Sequence, residues 1–196
     1  MRTDIREAKR VLRKQVQAEL KLMAPEARAT GSAYARATLL SQPLWQKAQS
    51  VLLFAPLPEE LDVWPLLAEA LSAGKQVALP RFVAESQSYV ACRIQDPETE
   101  IEVGHFGIRE PGQQCACLAS NRVDLILVPG VAFDLHGRRL GHGKGYYDML
   151  LAEVSGTACG VAFEQQVVPE IPAEPHDVRM NCLLTPTRWL VISVPP

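Results

Sequence analysis

Apolar residues recur every three or four positions between 4 and 23: Ile5, Ala8, Leu12, Val16, Leu20 and Met23. That spacing predicts an amphipathic helix. Asp4 is placed to cap it, and Glu7 three residues on resembles the second half of a capping box. Pro25 opens a second helix running from 26 to about 41, closed by Pro43. After Ser50 the chain is wholly apolar through Ala55, as a strand buried on both faces would be. Helical patterns follow over 64–73, with Gly74 as the residue just past the end, and over 146–154, with Gly156 beyond. Further strands are predicted at 76–79, 89–94, 123–128, 158–163, 182–184 and 190–194. Residues 84–122 read as a β-hairpin plus a long surface loop. Strands alternating with helices predict an α/β chain: a mostly parallel sheet covered on both faces.

The length of 196 residues fits one domain spanning 1–196. An apolar share of 47% and a charged share of 21% exclude a largely disordered chain. Twenty Lys+Arg against 22 Asp+Glu leave a formal net charge of -2, without the basic excess of a dedicated nucleic-acid binder. No apolar run reaches the roughly 18–20 residues that span a bilayer. The charged start MRTDIREAKR has no signal-type apolar stretch, so a cytoplasmic protein is expected. The five cysteines are irregularly spaced and odd in number, which argues against a disulfide framework. Cys115 and Cys117 form a C-x-C pair with no matching second pair, and read as two thiols in a reduced loop rather than a zinc site.

The most informative stretch runs from Asp124 to Asp148. A buried strand ends at Val128; a loop then carries Arg138, Arg139, Gly141, Gly143, Lys144 and Gly145, and a helix starts near Tyr146. Strand, glycine-rich loop and helix N-terminus form a ready site for phosphate. Glycines at alternate positions let backbone N–H groups turn inward, Lys144 and Arg139 can neutralise phosphate oxygens, and Asp148 can hold Mg²⁺. The loop is neither a Walker A motif nor the dinucleotide G-x-G-x-x-G. A flexible turn with solvated cations is the plainer reading of a bare G-x-G-x-G; the flanking strand, arginines and carboxylate favour phosphate.

Other features carry two readings each. Arg6, Lys9, Arg10 and Arg13 share one face of the first helix, where they repel each other. They are either a solvated face or an anion site. Glu60 and Asp62 follow the first buried strand, at the end of a sheet where ligands bind. Asp62 caps the next helix, while Glu60 can accept hydrogen bonds from an amino-substituted ring. Asp177, in the pair His176-Asp177, is a second metal carboxylate or a surface turn residue. His105, His136 and His142 have no metal spacing and read as surface or loop residues.

Together these segments resemble the 5-formyltetrahydrofolate cyclo-ligase family, also called methenyltetrahydrofolate synthetase. The likeness covers nearly the whole chain and keeps family order: Lys9-Arg-x-Leu-Arg13, Glu60-Leu-Asp62, Leu79-Pro-Arg81, Gly107-Ile-x-Glu-Pro111, Val128-Pro-Gly-x-x-Phe-Asp134, and Gly137-x-Arg-Leu-Gly-x-Gly-x-Gly-Tyr-Tyr-Asp148. Gly160-x-x-Phe163, Gln166, Pro172 and His176-Asp177 complete it. His142 stands where the family typically has arginine, and Val63 where threonine often follows the acidic pair.

The resemblance implies a three-layer α/β/α sandwich and an ATP- and Mg²⁺-dependent ring closure of 5-formyltetrahydrofolate to 5,10-methenyltetrahydrofolate. It implies ATP contacts from Lys9, Arg13, Arg139, Gly141, His142, Gly143, Lys144, Gly145, Tyr146 and Tyr147. Lys144 would lie near the transferred phosphoryl group and Tyr147 at the junction of the two ligands, as the catalytic pair. Ala55, Glu60, Phe106 and Tyr147 map to the folate pocket, with Phe106 stacking on the pterin; an ordinary core phenylalanine is the alternative. Asp148 and Asp177 map to the metal side. A monomer acting on small molecules, with no nucleic-acid or membrane partner, is expected. Two other classes would use the same pattern: a sugar-phosphate isomerase or acyl-transferase relative without ATP hydrolysis, and a non-catalytic folate- or nucleotide-binding regulator.

Overall fold

The computed structural model describes residues 2–118, 122–174 and 177–192. Three helices come first: α1 (Arg2–Lys21), α2 (Pro25–Leu40) and the short α3 (Pro43–Lys47). Strand β1 (Ser50–Leu52), helix α4 (Leu66–Ser72), and the hairpin strands β2 (Gln76–Val83) and β3 (Ser88–Ile94) follow. A turn of helix, α5 (Pro97–Glu100), leads into a second hairpin, β4 (Ile101–Val103) and β5 (Arg109–Pro111). Then come β6 (Arg122–Val128), the small pair β7 (Ala132–Phe133) and β8 (Arg139–Leu140), and α6 (Tyr146–Glu153). Strands β9 (Ser155–Val161), β10 (Cys182–Leu184) and β11 (Trp189–Val191) finish the sheet.

Seven strands form that sheet in the order β11-β10-β9-β6-β1-β2-β3. The inner pairings from β10 to β2 are parallel, and the two edge strands, β11 and β3, run antiparallel to their neighbours. Alternate residues supply two cores. Val51, Leu53, Leu125 and Leu127 face one side with Val16, Leu20, Leu39 and Leu66 from the helices of the first half. Leu52, Ile126 and Val128 face the other with Leu150 and Leu151 of α6. Two buried faces explain the unbroken apolar runs in β1 and β6, and the result is a three-layer α/β/α sandwich.

Several boundaries shift for local reasons. Helix α1 is already formed at Arg2, so Asp4 lies within its first turn, where its charge suits the dipole, and does not cap it. Glu7 instead accepts from Arg10 Nε at 2.8 Å. Pro25 is the first residue of α2, with Ala24 as a cap that lends no side-chain bond. Asp62 Oδ1 accepts from Trp64 N at 3.0 Å, but α4 starts only at Leu66, so this is a turn ahead of the helix. The segment read as a hairpin plus a loop contributes β3, α5 and the β4–β5 hairpin. The five cysteines are free thiols. Among the described residues no helix is long and apolar enough to cross a membrane.

From β1 the chain steps outward to β2 and β3, then returns to place β6 on the other side of β1. A crevice opens at the carboxyl ends of strands where the winding reverses in this way. Ala55 and Glu60 follow β1, and Pro129 follows β6.

Candidate active site

A cavity of about 380 Å³ occupies that crevice. Every residue that the family resemblance maps to ATP, folate or metal lines it, whereas Arg6 and Arg10, offered with Lys9 and Arg13 as an anion face, do not, and Arg10 pairs with Glu7. Helix α1 supplies Lys9 and Arg13; the segment after β1 supplies Ala55 and Glu60; the turn between β4 and β5 supplies Phe106. Arg139 of β8, the loop Gly141–Gly145 and Tyr146, Tyr147 and Asp148 of α6 form a fourth wall. Asp177 closes the circle. Its sequence neighbour His176 lies outside the described residues.

The glycine loop owes its shape to its composition. Gly143 and Gly145 have φ of +97° and +73°, a region that costs residues with a Cβ about 1–2 kcal/mol. Gly145 is the residue ahead of α6, so the first N–H groups of that helix point toward the loop. Arg13 Nε donates to Gly141 O at 2.7 Å and ties α1 to the loop.

Charge in the cavity is arranged in pairs. Lys9 Nζ lies 2.8 Å from Asp177 Oδ2 and 3.1 Å from Glu174 Oε2, with the lysine side chain only 10% exposed. Arg139 donates to Asp148 Oδ1 at 2.7 Å and to Pro129 O at 3.3 Å. Its Nε is buried without a partner among the described residues. Glu60 is nearly buried, its side chain 11% exposed. One of its oxygens accepts from Leu57 N at 2.9 Å, and the other lies 3.5 Å from His142 Nε2. Desolvation, with help from the Glu60 carboxylate, holds the Tyr147 phenol well above its ordinary pKa, so it stays a hydrogen-bond donor.

Aromatic rings gather between the β4–β5 turn and the start of α6. Phe82 stacks on His105 with centroids 4.2 Å apart, and Phe106 and Tyr146 lie 6.3 Å apart at 27°. Tyr89 meets Tyr146 edge-on at 5.6 Å. Phe106 is no core phenylalanine: it is 58% exposed, with φ of +62°. Buried Glu110 holds this wall together, accepting from Phe82 N at 3.1 Å and from His105 N at 3.3 Å.

Some residues that shape the cavity escaped sequence reasoning. Tyr89, Arg109 and Glu110 line it, and Glu174 shares Lys9. Glu110 had a signal, since it stands inside the Gly107–Pro111 motif. Glu174 also had one, as the acid nearest Asp177 in a proline-rich stretch. Arg109 fills the unspecified position of that motif, which gave its residue type no weight, and Tyr89 had no signal, because strand pairing alone brings it here.

The 5-formyltetrahydrofolate cyclo-ligase family model matches residues 5–186. The solution structure of Aquifex aeolicus 5,10-methenyltetrahydrofolate synthetase superposes with a TM-score of 0.84 at 37% identity, covering 94% of this chain and 92% of that one. The 5-formyltetrahydrofolate cyclo-ligase of Mycolicibacterium smegmatis is 36% identical over 174 residues, 85% of this chain and 88% of its own. The mouse 5-formyltetrahydrofolate cyclo-ligase is 28% identical over 192 residues, covering 92% of this chain and 94% of its own. On the strength of a match that runs through both the cation-bearing first helix and the glycine loop, the chain belongs to the 5-formyltetrahydrofolate cyclo-ligase family.

Proposed function

We propose that this chain closes 5-formyltetrahydrofolate to 5,10-methenyltetrahydrofolate at the expense of ATP, giving ADP and phosphate. The observation that carries the reading is one cavity with two chemically different walls, a cationic glycine loop and an aromatic face beside a nearly buried carboxylate.

The reaction needs both walls at once. A formamide carbonyl on N5 is a poor electrophile, and its oxygen is a poor leaving group. The formyl oxygen takes the γ-phosphoryl group as ADP departs, leaving an imidate phosphate. N10 then attacks the formyl carbon and loses its proton, and phosphate leaves with the C–O bond. No covalent bond to the protein is required, so the protein contributes alignment and stabilises anionic oxygens.

In this reading Lys9, Arg13, Arg139 and the loop Gly141–Gly145 hold the triphosphate, with His142 and Tyr146 beside it. Lys144 neutralises charge at the transferred phosphoryl group. Glu60 accepts from the amino and ring N–H groups of the pterin, Phe106 stacks on it, and Ala55 leaves room for it. Tyr147 donates a hydrogen bond where the two substrates meet.

Asp148 and Asp177 would hold Mg²⁺. Their chemistry fits that ion, which takes one or two carboxylates and completes its shell with phosphate oxygens and water. Each carboxylate is steadied by a cationic side chain through one oxygen. When bound, the metal would supply charge neutralisation at the phosphates. We also read the protein as one domain, on its length, and as a cytoplasmic monomer.

The test is to follow the absorbance of the methenyl product. It should form only with ATP and Mg²⁺ present, together with equimolar ADP. Binding of 5-formyltetrahydrofolate without product would point instead to a non-catalytic binder.

A further inference from the structure

We propose that Arg109, braced over the Trp64 ring, reads a carboxylate in the glutamate tail of the folate substrate. The inference rests on the folate reading above and names which part of that substrate the residue at the unspecified position of the Gly107-Ile-x-Glu-Pro111 motif would recognise.

Arg109 opens β5, is exposed, and lines the cavity. Its guanidinium carbon lies 3.6 Å from the centroid of the half-buried Trp64 ring. Trp64 belongs to the segment after β1 that also carries Glu60. The stacked pair therefore bridges two walls of the cavity, the hairpin that carries Phe106 and the loop that carries the pterin acid. Stacking occupies a face of the guanidinium and leaves the N–H groups of its edge to bond. That edge is a planar fork matched to a carboxylate.

Charge accounting points the same way. Lys9 is shared between Asp177 and Glu174, Arg139 is bonded to Asp148, and Arg13 to Gly141 O. These cations cluster at the glycine loop. Arg109 makes no ion pair among the described residues. It sits on the aromatic side, between Ile108 and a Glu110 whose oxygens are taken by Phe82 N and His105 N.

A folate is uncharged and donor-rich at its pterin end, and carries carboxylates at its glutamate end. The pterin suits Glu60. The glutamate does not suit Glu60, nor the triphosphate site, where like charges repel. It needs a cation on the aromatic side that no acid has claimed, and Arg109 meets that description.

The experiment compares 5-formyltetrahydrofolate with the same molecule lacking glutamate, 5-formyltetrahydropteroate, in wild-type protein and Arg109→Met. Wild-type protein should prefer the glutamylated substrate in kcat/KM by about 10- to 100-fold, the range expected of a hydrogen-bonded charge pair. In Arg109→Met that preference should collapse to near unity through KM for the folate, while KM for ATP holds. Trp64→Leu, which removes the brace, should lower the preference part of the way. The proposal is overturned if wild-type protein does not distinguish the two substrates. It is also overturned if Arg109→Met weakens both equally, which would make the stack only a pin between two loops. Failure of wild-type protein to turn over either substrate would instead overturn the folate reading, and this inference with it.

Discussion

Lys9 Nζ bonds Asp177 Oδ2 across 168 residues of sequence, at 2.8 Å. The two groups assigned to different ligands, phosphate and metal, hold each other. Asp177 Oδ2 also accepts from Glu174 N at 2.8 Å, so the carboxylate is fixed from its own segment as well. Removing the lysine takes away the cation that bridges Glu174 and Asp177. Lys9→Ala should therefore lose about 1–3 kcal/mol of stability in urea unfolding, on the scale of charged hydrogen bonds lost from a part-buried site. Lys9→Ala/Asp177→Ala should lose less than the sum of the two single changes. A single variant as stable as wild type would show that the pair contributes nothing.

Asp148→Asn tests the metal side. Asparagine keeps the shape but offers a neutral oxygen, which a hard cation binds less well. Turnover should fall, and the Mg²⁺ concentration for half-maximal rate should rise. The same change leaves Arg139, whose side chain is 4% exposed, without its charged partner, so a lower melting temperature should accompany it. A magnesium titration that overlays the wild-type curve would remove Asp148 from the metal site.

Glu60→Gln separates the two substrates. The amide oxygen of the introduced glutamine can still accept from Leu57 N, so the turn should persist and stability should barely change. A hydrogen bond to a charged partner contributes about 1.5–3 kcal/mol, so folate affinity should fall by one to two orders of magnitude. ATP affinity should stay within about twofold, since Glu60 carries no positive charge for the phosphates. Equal losses for both ligands, measured by calorimetric titration, would count against a pterin contact.

The strands and the glycine loop were legible in the sequence because each is a local pattern. Continuous apolar runs mark β1 and β6, and glycines at alternate positions mark the loop. Pairings were not legible. Glu60 and His142 lie far apart in the chain, yet come within 3.5 Å because β1 and β8 both end at one crevice. Neither periodicity nor spacing could show that Lys9 already has two acids. Phe106 is the reverse case. Hydrophobicity pointed to the core and the family motif to a ligand, and its exposure rules out the core. Asp4 shows the limit of capping rules: a helix that begins two residues earlier turns a cap into an ordinary first-turn acid.

The thiols should differ in reactivity. Burial pushes Cys92 up to about 12, so it stays protonated through the neutral range and up toward that value. Cys117 is exposed, 3.7 Å from the Cys92 sulfur and 3.4 Å from an Arg81 nitrogen. Iodoacetamide near neutral pH should label Cys117 first, by peptide mass analysis. Cys92, Cys159 and Cys182 should react only after denaturation. Early labelling of Cys92 would mean that β3 opens easily.

A cavity walled by α1 and by Asp177 draws its lining from segments 168 residues apart, so a fragment lacking either has an incomplete site. During synthesis, the emerging chain has the glycine loop well before it has the carboxylate that holds Lys9. Ligands thus meet the complete site only once the stretch that carries Asp177 is in place. After that they act on everything at once. A ligand at a hundred times its dissociation constant adds about 2.7 kcal/mol to the folded state, spread over a site that ties the first helix to the segment carrying Asp177. Protection from proteases by bound substrate should accordingly appear together at cleavage points throughout the chain.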